Sequence, residues 1–166
     1  MTQVGRPGSA DRDPVLGNRT TSQFVGFRLD TEEYAIAITK IQEIIVMKPI
    51  TRIPQVPGVI EGLMNLRGSV IPIVNLRKLF ALPPRGFDDE TRTIIVNVGD
   101  RTIGYIVDEV TQVMRIAADQ IQDAPVSITS GSKQHIAGLA QLEDRLLVIL
   151  DIERLLKPEE FEVSAS

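Results

Sequence analysis

The chain contains no cysteine and no tryptophan, a single histidine, and aromatic residues at only 4%. Without cysteine there is no disulfide, no thiolate nucleophile and no cysteine-ligated metal, which agrees with a reducing compartment. Long apolar runs are missing too: no stretch free of charged residues exceeds nine residues. That is far below the roughly 20 needed to span a bilayer, and the N-terminus has no apolar signal core. A cytoplasmic protein with no direct membrane insertion is expected. Excess basic charge is also absent. A net charge of −4 argues against nucleic acid as a partner, because such binding draws on clustered Lys and Arg. Scarce aromatics leave few platforms for stacking bases. What is present is ordinary for a folded domain: 43% hydrophobic and 24% charged over 166 residues, enough for one compact unit or two very small ones with a real core.

Catalytic chemistry is poorly supplied. His135 lies between Gln134 and Ile136 with no ligand-spaced carboxylates, and reads as a loop residue rather than a metal ligand. Asp88-Asp89-Glu90 lacks the spaced oxygens and turn glycine of a calcium loop, and reads as a solvated linker. Ser127, Ser130 and Ser132 sit in no setting that would activate a hydroxyl. Met47, Met64 and Met114 fall in apolar runs and are read as core. No catalytic residue, metal or cofactor is expected.

Residues 1–22 are rich in Gly, Pro, Asp, Ser and Asn, a composition that cannot offset its ordering entropy, and are read as a flexible tail. From Gln23 the apolar residues alternate, in Phe24, Val25, Phe27, Leu29 and then Tyr34, Ile36, Ile38, about a turn-like Asp30-Thr31-Glu32-Glu33, which is a hairpin signature. Further strand-like runs are 44–47, 70–74, 93–98, 102–107, 110–114 and 146–150, so the body is mainly β. Residues 158–166 are read as a short helix or tail.

The chain also repeats itself. Gly62-Leu63-Met64-Asn65-Leu66 matches Gly138-Leu139-Ala140-Gln141-Leu142, and Val70 to Val74 matches Leu146 to Leu150. The match continues from Asn75 to Phe80 against Asp151 to Leu156, where Asn or Asp precedes a short amphipathic stretch and suits a helix N-cap. Upstream, Tyr34, Ile36, Ile38, Ile41 and Ile44 correspond to Ile103, Tyr105, Val107, Val110 and Val113. Two copies of one β unit, each ending in a short helix, are implied. Each is of a size that favours a small closed barrel or curled sheet. Pro72 stands where the second copy has Val148, so an edge or bulge is expected there. Residues 81–86 would end the first helix and join the halves.

Duplication provides an internal control, since what folding requires should recur in both copies. Glu43 and Arg67 have Gln112 and Glu143 as counterparts, Gly68 has Asp144, and Lys40 has Glu109. Glu43 and Arg67 either cap a barrel end and satisfy each other, or fix the register of a partner.

At these residues the sequence resembles the CheW family of chemotaxis coupling proteins, over about residues 23 to 157. The resemblance rests on Ile41-Gln42-Glu43-Ile44, on Ile50-Thr51-Arg52-Ile53-Pro54, and above all on Gly62 to Gly68 running into Val70 to Arg77. Gly104 to Val110 and Ile136 to Leu139 look like the family's second half. The resemblance implies two tandem SH3-like five-stranded β-barrel subdomains with short helices, barrel one about 23–82 and barrel two about 91–157, with strand exchange between them open. It implies a non-enzymatic adaptor, monomeric alone, that binds the cytoplasmic tip of a methyl-accepting chemotaxis receptor and the regulatory domain of the kinase CheA in membrane-associated arrays. By motif, Ile41, Glu43, Gly62, Asn65, Arg67 and Gly68 would form or shape the receptor contact; kinase contacts are not placed. The pathway could serve flagellar chemotaxis or a non-flagellar system such as twitching motility. The kinase's own regulatory domain, or a CheV-like protein, would require segments for which 166 residues leave no room.

Overall fold

A computed structural model describes residues 20–124 and 135–155. The tail reading falls almost entirely outside the described residues, as do Ser127, Ser130, Ser132 and residues 158–166. The first strand of the described residues begins at Thr21, two residues inside the segment read as tail.

The strands are β1 (Thr21–Leu29), β2 (Glu32–Ala37), β3 (Ile41–Val46), β4 (Ile60–Leu66), β5 (Ser69–Asn75), β6 (Arg92–Val98), β7 (Arg101–Val107), β8 (Glu109–Ala117), β9 (Ile121–Gln122), β10 (Ile136–Leu142) and β11 (Arg145–Leu150). One short helix, α1 (Leu76–Leu79), follows β5, and 3-10 turns occupy Ile38–Lys40, Ala118–Gln120 and Ile152–Arg154. The expected N-caps are in place: Asn75 Oδ1 accepts from Arg77 N at 2.9 Å and Asp151 Oδ1 from Glu153 N at 3.1 Å. These bonds satisfy amide groups that a helix start otherwise leaves orphaned.

Among the described residues two sheets result, in the orders β9-β10-β11-β2-β1-β8 and β3-β6-β7-β5-β4. Each therefore takes strands from both sides of the 83–90 connector. Hairpin β1–β2 joins β8 to β11, and hairpin β6–β7 joins β3 to β5. Neither sheet is closed into the expected five-stranded barrel by strand pairing, and one has six strands; SH3-like describes curled sheets here. The extra strand β9 has only two residues, and its equivalent in the other sheet is the single Thr51–Leu63 bridge.

The pairing registers obey the sequence repeat. Val110 to Gln112 bulges against Phe27 and Gly26, as Ile41 to Glu43 does against Val96 and Ile95. A second bulge falls at Glu61 in β4 and at its counterpart Ala137 in β10. The halves are thus related by an approximate two-fold, and conserved bulges re-aim the same side chains in each.

Pro72 lies in an interior strand, not at an edge. The parallel ladder to β7 starts only at Ile73, however, whereas in the second copy it already includes Leu147 and Val148. A residue without an N–H can sit where the ladder has not begun.

One apolar cluster crosses both sheets, joining Phe27, Leu29 and Ile36 to Val74, Ile94, Ile103 and Tyr105. Smaller clusters fill each sheet separately, around Ile116 and Leu147 in one and Met64 and Ile73 in the other. Met64 is buried as expected.

Candidate interaction surface

Strands β3 and β4 are the two outer strands of the five-stranded sheet, and the residues singled out in the sequence collect along the seam between them. Ile41 opens β3, half-buried against the shared core. The bulge at Gln42 then turns Glu43 toward the seam. Across it, the β4–β5 hairpin turns through Arg67 (φ 51°) and Gly68 (φ 90°). Two consecutive positive φ angles make a two-residue turn matched to strand twist, and Gly is favoured at its second position. Asn65 Oδ1 accepts from Gly68 N at 2.9 Å and holds the turn. In this frame Arg67 donates from its guanidinium to the Glu43 carboxylate. Arg67 is 66% exposed and Glu43 27%, so the pair forms a lid on the seam with its cation facing solvent.

The hydrogen bond from Arg67 holds the Glu43 carboxyl below its ordinary value of 4.5, against a smaller opposing push from burial. A lowered acid value means that the ionised form is the one favoured. The pair is therefore complete at neutral pH and is lost only as pH falls below the ordinary carboxylate range.

Gly62 has a different role. Its φ is 154°, and a Cβ there would lie 2.2 Å from Thr51 O. The close approach is what allows Thr51 N to donate to Leu63 O and Leu63 N to Thr51 O, both at 2.8 Å. Its counterpart Gly138 lies similarly close to Gln122 O, at 2.9 Å. Glycine at both positions serves the backbone, and so shapes the surface without forming it. Gly62→Ala is expected to cost about 1–3 kcal/mol by combining strain with a backbone clash; thermal denaturation of the variant measures it, and a loss within 0.5 kcal/mol, roughly the scale of a neutral surface change, would contradict this account.

The second copy bridges its own seam in a different way. With its amide oxygen turned to the guanidinium, Gln112 accepts from Arg145 Nη1 at 3.0 Å, and Arg145 also pairs with Glu33 at 3.5 Å. A polar bridge at this place is thus common to both halves. What copy one alone has is a carboxylate, Glu43, at the position where copy two has Gln112, and a guanidinium 66% exposed where that of Arg145 is 39% exposed.

Exposed apolar side chains adjoin this seam that the sequence reading did not name as contact residues: Ile44 (37%), Val46 (56%) and Val70 (60%). Their signal was present, since β3 carries apolar residues on both faces, Ile41 and Ile45 inward and Ile44 and Val46 outward. Equivalents Val113 and Leu146 are exposed in the other half.

No cluster of His, Asp or Glu fit to hold a metal occurs among the described residues. Their helices include none long and apolar enough to cross a membrane. His135 stacks on Phe80 with ring centroids 4.8 Å apart. Asp88 orders the connector, accepting from Glu90 N at 2.9 Å and pairing with Arg85 at 3.0 Å.

Duplicated SH3-like sheets with exchanged hairpins and a charged, apolar-flanked seam define a protein-interaction module. The CheW-like domain matches residues 23–160, and the chain belongs to the CheW family of chemotaxis scaffold proteins. It is 39% identical to the chemotaxis protein CheW of Klebsiella aerogenes, over 92% of each chain. It is 37% identical to the chemotaxis protein CheW of Helicobacter pylori, over 86% of each. Its fold is similar to the crystal structure of the scaffolding protein TtCheW from Thermoanaerobacter tengcongensis, with a TM-score of 0.80 and 32% identity, covering 87% of this chain and 99% of that one.

Proposed function

We propose that the chain is a cytoplasmic, non-catalytic adaptor that couples the cytoplasmic tip of a methyl-accepting chemoreceptor to the regulatory domain of the histidine kinase CheA. The observation that carries the reading is the Glu43–Arg67 pair on the seam of the five-stranded sheet, flanked by exposed Ile44, Val46 and Val70. The seam suits an amphipathic helix whose apolar stripe meets these side chains and whose carboxylates meet Arg67. Ile41, Glu43, Asn65, Arg67 and Gly68 form that contact, and Gly62 shapes it. Exposed ion pairs add little to folding, roughly 0–1 kcal/mol, whereas charges at an interface fix register and partner choice.

Coupling then needs no chemistry in the adaptor. Two partners on one rigid platform bias each other's states through differential contacts, and the effect is reciprocal by linkage. The test is co-sedimentation of the chain with receptor-bearing membranes and CheA, followed by kinase assay. A ternary complex with kinase activation that requires both receptor and adaptor is expected. Binding to neither partner would reject the reading.

A further inference from the structure

Among the described residues the chain passes between the two sheets only twice, and the repeat makes the two passages counterparts. β7 runs into β8 through Asp108 alone, and β2 runs into β3 through the 3-10 turn Ile38–Lys40. By the repeat, Asp108 has Thr39 as its counterpart and Arg77 has Glu153. The first passage is pinned firmly. Asp108 N donates to Arg28 O at 3.1 Å, and its carboxylate, 8% exposed, holds Arg77, Arg85 and the Asp30 amide. The second passage has no buried residue, and no side chain caps its turn. Exposed Thr39 brings no charge to it. In place of the buried pair stands Lys40 Nζ on Glu153 at 2.6 Å, with the side chains 42% and 50% exposed. The charged neighbours are engaged with each other: Asp151 pairs with Arg154 at 3.6 Å and accepts from Glu153 N at 3.1 Å. A cavity of about 300 Å³, lined in part by Ala37, Lys40, Asp151 and Ile152, leaves this passage without packing on one side.

We infer that the two passages form an asymmetric hinge, in which Asp108 is the fixed pivot and Lys40–Glu153 is a latch whose opening lets the Ile38–Lys40 turn give way. Taking one partner from a buried, hydrogen-bonded pair is costly, whereas an exposed pair contributes little. Segments with few buried contacts and poor packing are also the first to open. Both arguments place the opening at the same passage. With the latch closed the two sheets are one rigid platform; the open form is a minor state, which a ligand populates only by binding it better. Position gives the latch its consequence. Ile41 N donates to Ile38 O where the turn ends, and Ile41 begins the strand that carries Glu43. Whatever releases the turn therefore also frees the start of the strand that holds the Glu43–Arg67 pair. The hinge rests on the fold alone, so it stands or falls independently of the adaptor reading.

Native-state hydrogen exchange on the full chain is the test, read at bonded amides of each passage. Ile41 and Arg154, which donate to Ile38 O and Asp151 O, report the latch; Asp30 and Asp108 report the pivot. In the wild type, protection factors at the latch are expected to lie about tenfold or more below those at the pivot, and equal protection overturns the hinge. Glu153→Ala and Glu109→Ala then remove one exposed ion pair each, the second being Arg28–Glu109 at 2.7 Å beside the pivot. Glu109 is the counterpart of Lys40, so the two losses are matched. Glu153→Ala is expected to lower protection at Ile41 by about threefold, the scale of one exposed pair, and to leave Asp30 and Asp108 unchanged. Glu109→Ala is expected to move none of the reporters. Ile41 unmoved by Glu153→Ala means that the pair latches nothing. A uniform fall at every reporter means that it stabilises the whole fold instead, and a fall at Asp108 in Glu109→Ala as large as that at Ile41 means that the passages are alike. Each of these outcomes overturns the proposal. Should the thermal midpoint show that Glu153→Ala does not fold, Lys40→Met breaks the same pair and decides on the same reporters.

Discussion

Replacing Asp108 with alanine is expected to destabilise the protein by about 3–5 kcal/mol, because it strands a buried guanidinium. Asp108 and Arg77 are each only 8% exposed and meet at 2.5 Å. Asp108 Oδ2 also accepts from Asp30 N at 2.8 Å and Arg85 Nη1 at 3.1 Å, while Arg77 Nε donates to Pro83 O at 2.9 Å. One carboxylate thereby ties together the β1–β2 turn, α1, the connector and the crossover from β7 to β8. These are the segments that the hairpin exchange forces to meet, so the loss should loosen the two sheets from each other. Domains of this kind have only about 5–15 kcal/mol of stability in total. Urea denaturation should show the midpoint falling well below that of wild type. The double variant Arg77→Met with Asp108→Leu is expected to recover most of the loss, since removing both charges leaves none buried alone. A single-variant loss under about 1 kcal/mol, the scale of an exposed pair, would show that the Asp30 carboxylate, 3.4 Å from Arg77 Nη2, or solvent compensates Arg77 fully.

The repeat was the most legible feature of the sequence, and its register holds to the residue in the structure. Strand runs such as 93–98 and 102–107 were recovered nearly in full as β6 and β7, because each is a short run rich in β-branched residues. Strands β4 and β10 were visible only as repeated motif, since Gly62 and Gly138 break their alternation. The reason for those glycines, a backbone passing 2.2 Å from a would-be Cβ in β4, is tertiary and leaves no local trace. Which hairpin joins which sheet is equally invisible to periodicity: β1 has the same alternation whichever strand it pairs with. The site was legible in its parts. Copy asymmetry picked out Glu43 and Arg67, and the fold brings them into contact. Asymmetry alone overstated the contrast, however, because Arg145, two positions beyond the counterpart of Arg67 and the first residue of β11, replaces the missing bridge through Gln112. A substitution rewired across neighbouring positions cannot be seen by comparing columns one at a time.

On the adaptor reading, reversing the exposed charge, Arg67→Glu, is expected to weaken capture of the receptor tip on the order of a hundredfold with little change in fold stability, because it would place like charges at the proposed contact. Glu43 would then face a carboxylate across the seam instead of the guanidinium it now accepts from. The turn itself should persist, since Asn65 still holds Gly68 N and φ at position 67 is already positive with a long side chain in place. Glu143 occupies the equivalent turn position with φ 50°, so glutamate is demonstrably tolerated there. The swapped double variant, Glu43→Arg with Arg67→Glu, separates two explanations. If the pair matters only by closing the seam, the swap restores receptor binding. If the outward cation reads the partner, the swap restores thermal stability but leaves binding low, because the more exposed position is still acidic. The adaptor reading expects the second pattern, with kinase-domain binding unaffected in both variants. Receptor binding by folded Arg67→Glu at wild-type strength would remove Arg67 from the contact altogether.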